Sequence, residues 1–226
     1  MENYRIFDSE LDRLAHKVIQ MCSQVNLQIV DVVYALNTID SSLAKKVIAN
    51  DEYINHLDVK IDKLCQKIFA LQQPVASDLR YIISALKINN DLERIGDHAV
   101  SIAKRIEPLQ DYSQMVTELG IDKIGEKTKN LFADVVELVK THNLDYGDQI
   151  IQKAAEIKDE CKKISSTVLV EMMQQSEVVV VAANILIIAN LFERISGYST
   201  NIEESISFVV NGEIVKHKKH SDNINE

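Results

Sequence analysis

The chain has few of the residues that interrupt helices. Its 226 residues include two prolines, six glycines and no tryptophan, and aromatic side chains make up 5% of the total. A β sandwich or barrel of this length needs turn-forming residues at short, regular intervals. Their scarcity excludes a many-turned β fold and favours long helices.

The chain also lacks the excess of positive charge that nucleic-acid binding requires. Its formal net charge is −9, whereas a general nucleic-acid binder uses Lys and Arg to displace counterions from phosphates. The same negative charge disfavours direct adhesion to an anionic membrane. We therefore expect no nucleic-acid partner, and contact with a membrane only through partner proteins.

Cysteine is scarce as well. Cys22, Cys65 and Cys161 are odd in number and form no CxxC pair, which indicates buried, reduced thiols in a cytosolic protein. The N-terminus has no apolar run typical of a signal peptide. The most apolar segment, 178–192, is shorter than the ~20 residues of a membrane span and contains two asparagines. We expect a cytoplasmic protein in which this segment is a bundle helix.

Apolar residues recur at alternating spacings of three and four along most of the chain. This period is typical of amphipathic helices with one buried face. Prolines, capping residues and glycines mark the ends of these periodic segments. Together they predict long helices at residues 8–36, 42–71, 77–107, 119–142, 148–174 and 177–210.

Short strings recur in the same order in the two halves of the chain. "LERI" at 92–95 returns as "FERI" at 192–195, and "CQKI" at 65–68 returns as "CKKI" at 161–164. Three long helices per half pack best as antiparallel neighbours. The sequence therefore predicts an all-α fold of two tandem three-helix bundles, with six long antiparallel helices. The predicted parts are a first repeat at 1–110, a second at 111–215 and a disordered polar tail at 216–226.

Two acidic stripes lie beside the apolar stripes of the second and third predicted helices. Each is displaced from the buried positions by one residue, or about 100° around the helix. In antiparallel neighbours both stripes border one groove, where carboxylates repel one another unless they are protonated or share a cation. Oxygen ligands suit hard cations, iron or manganese. The stripes are Asp51, Asn55, Asp58 and Asp62 on the second helix and Glu93 and Asp97 on the third.

A plainer interpretation of the stripes stays open. Acidic residues beside a core stripe often form a solvated helix border that pairs with Lys or Arg. A ferritin-like di-iron bundle would carry Glu-x-x-His motifs, and the chain has none. It also has no phosphate-binding Gly-rich loop, HExxH or GxSxG motif. We therefore expect neither an enzyme nor an organic cofactor.

Two longer strings resemble the PhoU family of phosphate-uptake regulators. They are "QPVASDLR" at 73–80 and "NNDLERIGDHAVSIAKRI" at 89–106, and the likeness spans nearly the whole chain. The resemblance implies non-enzymatic, often dimeric proteins that damp import through a phosphate ABC transporter, made of ATPase and permease. They also help a sensor histidine kinase keep the phosphate-starvation response off. Multinuclear metal sites are implied too, with iron foremost and Zn, Ni, Mg or Ca as other candidates.

The family's E/D-xxx-D metal motifs, mapped onto the first half, are nearly complete. Glu93 and Asp97 form the intact motif on the third helix. Asp51 is followed by Asn55, whose amide oxygen can coordinate a metal but adds no charge. Asp58 extends this set, so the resemblance implies an intact first-half site.

The corresponding motifs of the second half have each lost a carboxylate. Glu193 is followed by Gly197, and Asp148 is followed by Gln152. Glu204 is the further candidate ligand here. Because fewer anionic ligands attract a multivalent cation less strongly, we expect the second-half site to be weak or empty.

Three other functions stay open from the sequence. The chain could be a metal-buffering or metal-storage bundle, for which the acidic groove is the purpose. It could be an accessory subunit of a sodium-coupled phosphate carrier, since related domains accompany both transporter types. It could also be a plain helical scaffold whose carboxylates only confer solubility.

Overall fold

The computed structural model describes residues 2–72, 74 and 76–212, with side chains from residue 7 onwards. This part of the chain is helical and confirms the six predicted long helices. The predicted tail at 216–226 lies outside it. The helices are α1 (Glu2–Thr38), α2 (Ser41–Leu71), α3 (Ala76–Ala103), α4 (Ser113–Glu118), α5 (Ile121–Thr141), α6 (Asp145–Gln174) and α7 (Val179–Asn211).

The long helices form two three-helix bundles, as predicted. Helices α1, α2 and α3 pack together in the first bundle, and α5, α6 and α7 pack together in the second. The bundles meet through α3 against α7 and α1 against α5, so α2 and α6 lie on the outside. Each bundle therefore leaves one helix pair, α2–α3 or α6–α7, with a groove that faces solvent.

One hydrophobic core runs through both bundles. Gly125 of α5 lies where α1, α5 and α7 meet. A Cβ atom at this position would be 3.3 Å from Phe192 Cζ and 3.3 Å from Val33 Cγ1. The absence of a side chain there allows close packing between the bundles, since interiors have little spare volume.

The connection between the bundles is folded rather than extended. The sequence predicts a linker at 108–118, but these residues form a 3-10 helix, Glu107–Tyr112, followed directly by α4. Pro108 lies in the first turn of that helix, where the missing amide hydrogen costs nothing. Buried Leu109 and Val116 anchor the segment to the core.

The apolar segment predicted to be a bundle helix is the first part of α7. By length and hydropathy, Ser176–Asn211 is the one span of the described residues that could cross a membrane, and 44% of its most apolar window is buried. Helix α7 packs against α3, α5 and α6. These contacts account for its apolar character, because a helix surrounded by three others needs apolar residues on most of its faces.

The three cysteines are free and buried, as predicted. Burial raises the pKa of the Cys22, Cys65 and Cys161 thiols to about 12. They therefore remain protonated at neutral pH and act as small apolar side chains rather than as nucleophiles.

Candidate functional site

The two predicted acidic stripes face each other across the α2–α3 groove. Burial raises the pKa of Glu93, and the charges of Asp97, Asp58 and Asp51 raise it further. Carboxylates from both helices thus lie within each other's electrostatic field. We call this surface the acidic seam; it comprises Asp51, Asn55, Asp58, Asp62, Glu93 and Asp97.

The acidic seam is not neutralised by basic side chains. Among the described residues, no Lys or Arg nitrogen lies within 4.0 Å of a seam carboxylate oxygen. Arg94 opposes the rise in the pKa of Glu93 only in part. Asn55 Nδ2 donates a hydrogen bond to Asp51 Oδ2 at 3.2 Å. The structure therefore does not support a helix border paired with lysine or arginine.

A buried asparagine, which the sequence reasoning missed, joins the two helices inside the seam. Asn89 Nδ2 donates to Asp58 Oδ1 at 2.6 Å and to Asp62 Oδ1 at 3.2 Å. The side chain is fully buried, and its Oδ1 has no hydrogen-bond partner. Its spacing was the available signal, because Asn89, Glu93 and Asp97 follow one another at four-residue intervals on one helix face.

A second buried amide forms the floor of the seam. Gln28 of α1 is 4% exposed, and its Nε2 donates to Asp51 Oδ1 at 3.4 Å and to Val47 O at 3.3 Å. Its Oε1 has no partner and lies 3.1 Å from where a Cβ of Gly96 would be. Two unsatisfied amide oxygens therefore accompany the carboxylates, and a buried acceptor without a donor is costly.

The donor chemistry of the seam fits a hard cation. Its groups are carboxylate and amide oxygens, the ligands of Ca²⁺, Mg²⁺ and Mn²⁺, and carboxylates also bind iron. In the part of the chain that the structure describes, no three carboxylate, histidine or cysteine side chains already converge on one point. Cation binding would therefore require seam side chains to change rotamer and close around the ion.

The second bundle repeats the buried pattern of the first with a fixed offset. Four buried residues of α2 have a buried counterpart of the same type in α6, ninety-six positions later. Helices α3 and α7 correspond at an offset of one hundred, which pairs buried Leu92 with buried Phe192. The matched α2 and α6 residues are Ile54, Ile61, Cys65 and Ile68 with Ile150, Ile157, Cys161 and Ile164.

This offset corrects the predicted alignment of the second-half site. Asp148 is exposed and takes the position of Glu52, not that of Asp51. The position of Asp51 is taken by buried Gly147. Asp58 and Asp97 of the seam correspond to Ala154 and Gly197, and buried Asn89 corresponds to Ala189. Asp62 corresponds to Lys158, which reverses the charge. Of the seam carboxylates, only Glu93 has an acidic counterpart in this register, Glu193.

The structure also separates two carboxylates that are neighbours in sequence. Glu204 lies with Asp91 in a groove between α3 and α7. The sequence predicts it to be a ligand of the second-half site, together with Asp148. The carboxylate of α7 that lies against the start of α6, beside Gly147, is Glu203. It is 7% exposed and accepts a hydrogen bond from Ser207 Oγ at 2.6 Å. Burial raises the pKa of Glu203, and the charges of Glu204 and Asp148 raise it further.

Lysine pairs join α5 and α6 of the second bundle. Lys127 of α5 donates a hydrogen bond to Glu160 of α6 and also lies 4.0 Å from Glu156. Lys153 of α6 pairs with Asp134 of α5. These pairs involve none of Glu193, Asp148 and Glu204, so the predicted inequality of the two sites rests on the number of carboxylates in each groove.

Repulsion in the seam predicts that Asp58→Asn stabilises the metal-free chain. Burial and the charge of Asp62 raise the pKa of Asp58 above its ordinary 3.8, with Asn89 opposing. A carboxylate with a raised folded-state pKa loses its contribution to stability as pH rises through that pKa. The variant should therefore match the parent near pH 4 and melt about 1–3 °C higher at pH 7.

Thermal denaturation followed by circular dichroism in the presence of a chelator measures this difference. Asp111→Asn is the control, because Asp111 is exposed and lies outside the seam. Adding Mn²⁺ should raise the melting temperature of the parent more than that of Asp58→Asn. A variant that is less stable than the parent at pH 7 would show that Asp58 is not repelled.

Both bundles of the chain are similar in sequence to known proteins. Residues 18–106 and 121–206 each match the PhoU domain, and each stretch lies across one of the two bundles. The chain is 32% identical over 214 residues to the phosphate-specific transport system accessory protein PhoU homolog of Clostridium acetobutylicum, covering 93% of this chain and 97% of that protein. It is also 32% identical over 213 residues to the phosphate-specific transport system accessory protein PhoU of Escherichia coli strain K12, covering 93% and 88%.

A solved structure shares the fold as well as the sequence. PhoU from Pseudomonas aeruginosa matches with a TM-score of 0.84 and 30% identity, over 92% of this chain and 100% of that one. At this level of similarity the helices, their order and their packing are common to both proteins.

Proposed function

This chain belongs to the PhoU family, and from this premise we propose that it restrains phosphate uptake and the phosphate-starvation response as a non-enzymatic adaptor. Relatives that match most of its length are named accessory proteins of the phosphate-specific transport system. These names support a regulatory role in phosphate transport. The expected partners are a phosphate ABC transporter and a sensor histidine kinase, and the expected location is the cytoplasm.

The observation that carries the regulatory proposal is the likeness of the whole chain to these relatives. Coverage of 93% of this chain and 97% of the Clostridium acetobutylicum protein includes both bundles, so the likeness extends over the whole described fold. The described surface offers helix faces rather than a deep, closed pocket. Such faces suit transient docking to partner proteins, whose interfaces are moderate in size.

A metal ion bound in the acidic seam is the second element of the proposal. Unpaired carboxylates on α2 and α3 and the free amide oxygens of Gln28 and Asn89 support it. Glu93, Asp97, Asp51 and Asp58 would hold the ion, which would bridge the two helices and relieve their repulsion. Iron, or another metal that accepts oxygen ligands, fits this donor set.

Deleting the gene tests the regulatory role. In phosphate-rich medium the deletion strain should express alkaline phosphatase at a level several-fold above the parent, because the starvation response is no longer restrained. Reintroducing the intact gene should restore repression. Unchanged alkaline phosphatase and unchanged phosphate uptake in the deletion strain would contradict the proposal.

The same strain separates the two alternative functions. If the chain mainly buffers metal, deletion should leave alkaline phosphatase unchanged and make growth sensitive to added iron. If it assists a sodium-coupled carrier, the extra phosphate uptake should disappear when sodium is replaced by potassium. The adaptor proposal requires excess uptake that is independent of sodium.

A further inference from the structure

A pocket of about 500 Å³ lies between α3 and α7 and is lined by three basic and two acidic side chains. Arg94 reaches it from α3, Lys104 from the turn that follows α3, and Arg194 from α7. Arg94 and Arg194 are one hundred positions apart, the offset that relates α3 to α7. The repeat therefore places equivalent guanidinium groups from the two halves on one pocket.

These three cations have no acidic partner at ion-pair distance among the described residues. No Asp or Glu oxygen lies within 4.0 Å of their nitrogens. Arg94 Nη1 instead donates to Tyr198 Oη at 3.2 Å, and the Arg94 guanidinium lies 5.8 Å from the centre of the Tyr198 ring. The aromatic ring orients Arg94 and leaves its charge available to an anion.

A histidine between the two arginines provides further evidence. The His98 ring lies 5.6 Å from the Tyr198 ring, and its Nε2 is buried without a hydrogen-bond partner. Burial lowers the pKa of His98, and the charges of Arg194 and Arg94 lower it further. His98 and both guanidinium groups therefore line the same pocket.

We propose that the pocket binds a tetrahedral oxyanion of the phosphate type, held by Arg94, Arg194 and Lys104. Guanidinium groups donate pairs of hydrogen bonds to such oxyanions, and an ammonium group adds a point charge. Because Arg94 belongs to the first bundle and Arg194 to the second, the bound anion joins the two halves. His98 is also part of the lining.

The two acidic residues that line the pocket, Glu93 and Asp97, belong to the acidic seam. With the seam empty, their charge opposes anion binding; with a cation bound to them, the opposition reverses. Metal and oxyanion should therefore increase each other's affinity, since coupling between two sites is reciprocal. This coupling, but not the anion site itself, rests on the proposed metal site in the seam.

Isothermal titration calorimetry of the full chain with inorganic phosphate tests the site. Arg94→Gln/Arg194→Gln should weaken phosphate binding at least ~10-fold, because each lost charged hydrogen bond is worth more than a neutral one. Arg13→Gln/Lys123→Gln removes the same charge at two positions outside the pocket and should leave binding unchanged. Lys104→Gln, at an exposed position, provides a second variant if the double arginine variant is unstable.

Titration with sulfate measures the selectivity of the pocket among oxyanions. Tighter binding of phosphate than of sulfate would assign the pocket to phosphate, and equal binding would assign it to doubly charged oxyanions in general. Either result supports the proposal. No phosphate binding at 10 mM, or equal weakening by the Arg13/Lys123 control, would overturn it.

The Glu93→Gln/Asp97→Asn variant distinguishes the metal site of the seam from the oxyanion site of the pocket. Without metal, this variant should bind phosphate more tightly than the parent, because two repelling charges are gone. With Mn²⁺ present, only the parent should gain phosphate affinity. If the parent binds phosphate but gains no affinity from Mn²⁺, the metal site in the seam is rejected and the anion site is kept. If the parent binds Mn²⁺ but no phosphate, the anion site is rejected and the seam is kept.

Discussion

Replacing Glu93 and Asp97 together with alanine should abolish metal binding by the purified chain. Loss of groups that merely orient metal ligands lowers metal affinity by ~10–100-fold, so loss of two ligands should exceed ~100-fold. Glu193→Ala/Asp148→Ala removes two carboxylates from the second bundle and is the matched control. Because the second half lacks the counterparts of Asp51, Asp58 and Asn89, the control should retain the metal content of the parent.

Inductively coupled plasma mass spectrometry measures the metal content of the parent and of both double variants after purification and dialysis. Circular dichroism should show that both double variants keep the helix content of the parent, since all four positions are partly or fully exposed. Equal loss of metal from the two variants would contradict the inequality of the two halves. If Glu93→Ala/Asp97→Ala retains the full metal content of the parent, the acidic seam does not bind the metal.

Phe192→Ala should give the largest loss of stability of any single substitution proposed here, about 3–5 kcal/mol. Phe192 is fully buried and lies against Gly125, so its loss leaves a cavity where α1, α5 and α7 meet. In a chain of this size each kcal/mol shifts the melting temperature by about 2–4 °C. The expected decrease is therefore at least about 6 °C.

Leu169→Ala is the control for this substitution, because Leu169 is a large apolar residue with 53% of its surface exposed. It should change the free energy of unfolding by less than about 0.5 kcal/mol. Chemical denaturation of both variants with a chelator present excludes any contribution from bound metal. Similar effects of the two substitutions would show that the bundles do not share a tightly packed core at Phe192.

The long helices and their twofold repeat could be predicted from the sequence because each has a continuous apolar stripe. Positions such as Ile54, Ile61 and Ile68 follow the helical period, and their burial confirms it. The segment at 107–118 could not be assigned in the same way. Pro108 and the polar residues around it are typical of a loop, yet two buried residues are enough to hold short helical turns against the core.

The acidic seam was predictable in outline, but its buried part was not. Helical spacing brings Glu93 and Asp97 toward the second helix without showing what lies beneath them. Gln28 belongs to a third helix, and only tertiary packing places its amide under Asp51. Asn89 has the correct spacing, but an amide within a core stripe is also compatible with a structural role.

In the second half, assigning a residue one position away from its true equivalent changed the predicted site most. Asp148 and Gly147 differ by one residue, or about 100° around the helix. The ninety-six-residue offset of the repeated strings "CQKI" and "CKKI" pairs Gly147 with Asp51, and the buried pattern agrees with it. Glu203 and Glu204 are separated in the same way, and the structure directs one toward α6 and the other toward α3. Adjacent carboxylates cannot be assigned to grooves until neighbouring helices are in place.

The most direct test of an unequal pair of metal sites is anomalous X-ray diffraction from crystals of this chain grown with Mn²⁺ or Fe²⁺. The account predicts an anomalous peak within coordination distance of Glu93 and Asp97, with ligands from Asp51 or Asp58 of α2, and none beside Glu193. A peak at Glu193 alone, or none at the seam at saturating metal, would contradict it.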